Sequence, residues 1–259
     1  MAVQSLDRAF NILELLSQET RGVAVTEIGR RLDLHKSTVH RLLSSLRSRG
    51  YVEKDILSGN YKLGLGFVEL ASLYLNGLEL KTEARPFLHQ LTQVTGQTSF
   101  LAIKDGAEVV YIDKAETFDS LRHYSIIGKR LPLHASSLGK AMLSGCSDEE
   151  IARIYPDQNL KVLTKKTIPT LDALMAEMRQ IRDKGWATDD EENEMGTHCV
   201  GAPVFDYRDG VIAAVSTAWD FKAHPQLSWE KFAKYVVRCA AEISVKMGCT
   251  QTKIRRLVD

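Results

Sequence analysis

Cysteine is scarce in this chain. Cys146, Cys199, Cys239 and Cys249 stand far apart, with no C-x-x-C pair among them. That spacing excludes a disulfide framework or a zinc ribbon and suits reduced thiols in a cytosol. Long apolar runs are missing too, since no stretch approaches the roughly 18 uninterrupted apolar residues of a membrane span. The first eight residues, MAVQSLDR, lack the apolar core that follows the basic start of a secretory signal, so a cytoplasmic location is expected. Net charge is nearly absent: 34 Lys and Arg against 33 Asp and Glu leave +1. Any contact with nucleic acid must therefore rest on a local cluster of charge. Catalytic signatures are lacking as well. There is no G-x-S-x-G, no H-E-x-x-H and no phosphate-cradling glycine loop. Asp189, Asp190, Glu191, Glu192 and Glu194 crowd too closely to single out an acid and a base, and they read as a mostly solvated loop. His198 and Cys199 are neighbours in a strand-like run and point to opposite faces, so no base is set against a nucleophile. No catalytic residue, cofactor or bound metal is expected.

What is present is ordinary globular composition, 44% hydrophobic and 26% charged, in a chain of 259 residues, long enough for two domains. The first sixty residues read as short helices and a hairpin. Leu6, Ala9, Phe10, Leu13 and Leu16 form one apolar stripe at helical spacing. Thr26 is a candidate N-cap for a second helix over 27–32, and a turn at 33–35 follows. Val39, Leu42, Leu43 and Leu46 mark a third helix, which Gly50 stops. Residues 51–53 and 61–63 alternate as two short strands around Ser58-Gly59-Asn60. Helix, helix, turn, helix and hairpin is the order of a winged helix-turn-helix, assigned here to residues 1–63.

The charge cluster falls in the same place. Between Arg30 and Gly50 lie Arg30, Arg31, Lys36, Arg41, Arg47 and Arg49 against the single acid Asp33. Positive charge concentrated beside a helix-turn-helix is the footprint expected of phosphate contacts. With the leucines of the third helix turned inward, Lys36, Ser37, Thr38, His40 and Arg41 crowd its N-terminal end. That end normally meets base edges in a major groove. These five and Arg47 are the candidate DNA-binding residues, with Lys36 cast as a phosphate contact. The apolar stretch 64–80 reads as a linker helix that also buries surface against another subunit. A helix packed within one subunit fits the same pattern.

From residue 81 to 259 helical and strand patterns mix. Helices are expected over 81–95, 136–143, 148–154, 171–183 and 229–247, and strands over 98–103, 108–112, 121–124, 200–205 and 211–217. The whole is an α+β chain.

The segments 22–28 (GVAVTEI), 36–43 (KSTVHRLL), 128–136 (GKRLPLHAS), 139–141 (GKA) and 196–204 (GTHCVGAPV) resemble, in order and over nearly the whole chain, the IclR family of bacterial regulators. Residues 124–130 (YSIIGKR) further resemble the branch that includes the 2-keto-3-deoxygluconate repressor. The resemblance implies a GAF-like effector-binding domain over 81–259, and dimers or dimers of dimers on palindromic operators in double-stranded DNA. It also implies effector contacts at Ser136, Ser137, Leu138, Asp189, Thr197, Cys199 and Ser216. Ser136 and Ser137 open an expected helix, whose N–H groups and positive dipole end suit a carboxylate. Asp189, Thr197 and Ser216 offer hydrogen bonds to ligand hydroxyls. The expected function is a DNA-binding regulator, a repressor of a catabolic operon, controlled by a small acidic metabolite such as a sugar-derived keto acid. Plainer readings fit the same residues: an N-cap for Ser136, a solvated Asp189, a core side chain for Cys199. A metal- or redox-responsive regulator using Cys199, His198, His134 and the acids is the alternative. Ser137 and Leu138 stand where the glyoxylate-responsive member has Gly and Ala, and Ala218 replaces a second pocket serine. Glyoxylate is therefore not carried over. His198 occupies a place where Arg is common.

Overall fold

The computed structural model describes residues 3–76, 79–117 and 127–250. They form two compact units, Met1–Gly77 and Leu78–Asp259. The strand expected at 121–124 lies outside the described residues.

The first unit runs α1 (Gln4–Ser17), α2 (Val25–Leu32), α3 (Lys36–Ser48), β1 (Val52–Lys54), β2 (Tyr61–Leu63) and α4 (Gly66–Asn76). Its core gathers Ile12 and Leu16 of α1, Ile28 of α2, Val39 and Leu43 of α3, and Val52 and Tyr61 of the hairpin. The expected stripe on α1 is corrected: Leu6 and Phe10 are exposed, and Ile12 takes the buried place. Thr26 is not the cap of α2. That helix starts two residues earlier, at Val25, with Ala24 at its N-cap and no side-chain cap. Asp33 takes the left-handed conformation (φ 50°) that ends α2, and Leu34 N–H donates to Gly29 O at 2.9 Å. Gly29 allows the tight turn, since a Cβ there would stand 2.8 Å from Leu34 O. Gly50 (φ 77°) closes α3: its N–H donates to Arg47 O and that of Tyr51 to Leu46 O, the paired bonds of a Schellman end. Val23 adds a one-residue bridge to Tyr61, with reciprocal bonds of 2.8 and 2.9 Å.

The second unit contains α5 (Glu79–Thr95), β3 (Thr98–Asp105), β4 (Glu108–Ala115), β5 (Arg130–Pro132), α6 (Ser137–Leu143), α7 (Asp148–Ile154), α8 (Leu171–Lys184), β6 (Ala187–Asp190), β7 (Thr197–Phe205), β8 (Val211–Asp220) and α9 (Trp229–Lys246). One antiparallel six-stranded sheet has the order β5-β4-β3-β8-β7-β6. Helices α5 and α9 pack together on one face, while α6 lies across β7 and β8 on the other. The second core joins Leu138, Met142 and Leu143 of α6 with Leu174 and Met178 of α8 and with Phe100, Ala102 and Tyr111 of the sheet. Gly201 permits the close approach of α6 to β7, because a Cβ there would meet Ser137 O at 2.7 Å.

Candidate nucleic-acid interface and effector pocket

Helix α3 is held from behind by Val39 and Leu43, with Leu42 and Leu46 half-buried. Lys36, Ser37, His40, Arg41 and Arg47 are exposed on its other side, and Thr38 is half-buried. Positions 36, 40 and 47 fall on one stripe of the helix, with 37 and 41 beside it. No side chain caps the N-terminus. The charge count needs a correction, because Arg30 pairs with Glu27, and Arg31 pairs with Glu27 and Glu19, all at 2.7 Å. These two arginines and Glu27, whose carboxyl they hold down at about 2, form a network that ties α2 to the end of α1. Among the described residues no ion pair engages Lys36, Arg41, Arg47 or Arg49. The free positive charge is therefore narrower than the sequence count and centres on α3.

The seven effector candidates come together. Ser136, Ser137, Leu138, Asp189, Thr197, Cys199 and Ser216 line one cavity in the second unit, of about 40 Å³ measured over the positions a water centre can take. Strand pairing explains the convergence. Asp189 faces Cys199 and Cys199 faces Ala218 in one row; Gly201, Ser216 and Phe100 make the next, two residues along. Since side chains alternate along a strand, both rows point to the same face. His198, one residue out of step, turns to the opposite face and stacks on Phe221 and Trp229, with centroids 4.3 and 4.8 Å away. The place of an arginine is thus taken by a ring in an aromatic stack.

One expectation is corrected and another narrowed. The acidic run is not a solvated loop: Asp189 ends up 4% exposed on β6, and Glu192 6% exposed beyond it. Glu192 Oε1 lies 2.5 Å from Nζ of Lys140, which is fully buried. Asp189 Oδ1 accepts from the N–H groups of Glu192 (2.8 Å) and Asn193 (3.4 Å). Burial, reinforced by the charge of Glu192, pushes the Asp189 carboxyl up to about 7. Near neutrality it is thus split between a carboxylate and a neutral acid able to donate a hydrogen bond. Secondly, the Ser136 hydroxyl is taken up by the helix cap, as the plainer reading had it. Its Oγ accepts from Gly139 N–H (3.1 Å) and donates to Pro132 O (3.0 Å), and α6 is only seven residues long. Ser137 is free of the cap and lies beside the Cys199 thiol.

Ala218 also lines the cavity, and Phe100, Tyr111, Lys129, Leu131, Asn193 and Glu194, which were not singled out from sequence, complete it. Phe100 and Tyr111 stack at 5.0 Å to form an aromatic wall. The alternation of Lys129 and Leu131 about the outward Arg130 is the signal that would have found the β5 side.

The redox alternative meets resistance in the thiols. Burial raises those of Cys146 and Cys199 and pushes Cys239 up to about 12, away from the thiolate form that reacts. Asp190, Glu191 and His198 place three ligand atoms within 4.8 Å of one another. Lys166 Nζ already sits among them, 2.8 Å from Asp190 and 2.7 Å from Glu191, and supplies the positive charge. No helix among the described residues is long and apolar enough to cross a membrane.

Comparison with known proteins fits this geometry. Residues 5–55 match the IclR helix-turn-helix domain, and residues 72–245 match the bacterial transcriptional regulator IclR C-terminal domain. The chain is 36% identical over 214 residues to the HTH-type transcriptional regulator XynR of Escherichia coli, covering 83% of this chain and 85% of that one. It is 32% identical over 247 residues to the regulator KdgR of the same organism, covering 95% and 94%. The crystal structure of the Thermotoga maritima IclR superposes with a TM-score of 0.82 at 31% identity, over 95% of this chain and 99% of that one. These relatives are regulators and not enzymes. With a winged helix-turn-helix in its first unit and a GAF-like sheet domain in its second, this chain belongs to the IclR family of bacterial DNA-binding transcriptional regulators.

Proposed function

We propose that the protein is a cytoplasmic repressor of a catabolic operon and that a small carboxylate, such as a sugar-derived keto acid, controls it. Residues 1–63 bind DNA, 64–80 act as the linker helix, and 81–259 bind the effector. Lys36, Ser37, Thr38, His40, Arg41 and Arg47 form the DNA contact. A two-fold dimer, alone or paired into a tetramer, sets two copies of α3 into successive major grooves of a palindromic operator. The dimer reading draws support from exposed apolar side chains of the first unit: Val3, Leu6 and Phe10 on and before α1, and Leu65, Val68, Leu70 and Leu73 at α4. An apolar surface of this extent is characteristic of a face that is covered in the assembly.

The observation that carries the effector assignment is the convergence of Ser137, Asp189, Thr197, Cys199 and Ser216 on one small cavity. A ligand there shifts the regulator only by binding its two arrangements with different affinity, so pocket and packing must change together. The test is Asp189→Ala. The variant retains operator binding in a gel shift and loses the response to any acid that releases the wild type. A retained response moves the effector site elsewhere.

A further inference from the structure

A carboxylate in this cavity gains from a cationic side chain beyond the N–H groups that open α6. The Ser136 hydroxyl is committed to its cap and its carbonyl bond, and Lys140 is committed to Glu192. Lys129 is the one cationic side chain among the described lining residues. Its position follows from the fold. Tyr111 N–H donates to Lys129 O at 3.1 Å, extending the β4–β5 pairing of Val109 with Leu131 by one step. Lys129 and Leu131 both reach the cavity, whereas Arg130 between them points away and pairs with Asp105 and Glu108, both at 2.6 Å. No ion pair engages Lys129 among the described residues, so its charge is unspent.

The sheet order places this lysine beside β5, at one edge, and Asp189 on β6, at the other. Both nevertheless line the same cavity, so the ligand lies between a cation and a buried acid. We propose that Lys129 is the carboxylate receptor of the pocket, and that the effector is a short monocarboxylate with a carbonyl or hydroxyl at its opposite end. This rests on the reading of the cavity as the effector site. Asp189, which near neutral pH both accepts and donates, meets the uncharged end together with Ser216 and Thr197. A second carboxylate would instead face Asp189 and Glu194, so dicarboxylates are rejected. Room for about three waters in the cavity favours a ligand of only a few carbons.

The test is calorimetric titration of the full chain with glyoxylate, pyruvate, lactate and 2-keto-3-deoxygluconate, alongside pyruvamide, lactamide and malonate. Wild type, Lys129→Met, Lys129→Arg and Ser137→Trp are compared, and urea midpoints establish that each is folded. Lys129→Gln replaces Lys129→Met if that variant is unstable. At least one monocarboxylate is expected to bind the wild type while its amide and malonate do not. Lys129→Met weakens that acid about 10- to 100-fold, the range expected for a lost charge-assisted bond, and Lys129→Arg keeps most of the affinity. Ser137→Trp, which fills the cavity, abolishes binding. Unchanged affinity in Lys129→Met with binding lost in Ser137→Trp overturns the role of Lys129 alone. Binding that survives Ser137→Trp overturns the cavity as the site. If no acid binds the wild type, both fail.

Discussion

Glu192→Gln removes the counter-charge from an ammonium group that water does not reach. Lys140 Nζ is 2.5 Å from Glu192 Oε1 and 3.5 Å from Glu177 Oε1, with side-chain exposures of 1% for Lys140, 8% for Glu192 and 24% for Glu177. Breaking a buried pair from one side costs about 3–5 kcal/mol, because the surviving charge is left without compensation. Glu177 remains within reach, which puts the expected loss at the lower end, about 3 kcal/mol. For a unit of this size each kcal/mol moves the midpoint by roughly 2–4 °C, so the effector unit should melt about 6–12 °C lower. Lys140→Met/Glu192→Leu removes both charges while keeping similar volume, and should recover most of the loss. Differential scanning calorimetry on the three proteins decides. A single variant melting within about 2 °C of wild type, or a double variant no better than the single, would refute the idea that this pair holds the pocket wall. The same wall carries the N–H groups that bind Asp189, so ligand affinity should fall with Glu192→Gln as well.

Three further outcomes are expected. The Asp189 carboxyl titrates at about 7 in the folded protein against 3.8 in the open chain, so the native state holds a proton that the unfolded state releases between these values. Its contribution to stability is full below the lower value and is lost as pH rises through the upper one. Asp189→Asn should flatten the dependence of the urea midpoint on pH across that window, and an identical slope in both proteins would count against the burial argument. Arg41→Ala should weaken operator binding by roughly 1–3 kcal/mol if it reads a base, whereas Lys36→Ala should weaken all duplexes alike and reduce the salt slope by about one. Fluorescence anisotropy on matched and scrambled duplexes separates the two. Leu6→Ser/Phe10→Ser should convert dimers into monomers in sedimentation, at a cost to the isolated fold within about 0.5 kcal/mol because both side chains are exposed in the single chain; a dimer of undiminished affinity would move the interface elsewhere.

The DNA-reading unit was largely legible because its signals are local. The spacing of Val39, Leu42, Leu43 and Leu46 and the stop at Gly50 lie within one helix and its cap. The bridge between Val23 and Tyr61 was not legible, since one residue carries no period. Helix α1 misled for a different reason: it has apolar residues on more than one face, and tertiary contact selected Ile12 over Leu6 and Phe10. In the effector unit, family resemblance gathered seven residues that line one cavity, four placed there by the sheet register and three by the start of α6. The burial of Asp189 and Glu192 escaped notice because it depends on Lys140, 52 positions before Glu192. A run of acids reads as solvated until its distant cation is known. Lys129 lies one residue before the three-residue β5, so only its alternation with Arg130 and Leu131 marked it in the sequence.

The central claim is that α3 enters the groove of an operator and that ligand in the cavity controls this. Fluorescence anisotropy with labelled duplexes from the protein's own promoter region, at low salt, measures it directly. Wild type should bind one such duplex in preference to scrambled DNA, Arg41→Ala should bind it more weakly, and a pocket-binding monocarboxylate should release the wild type but not Asp189→Ala. Equal binding to every duplex by wild type and Arg41→Ala, or release by the acid that persists in Asp189→Ala, would contradict the account.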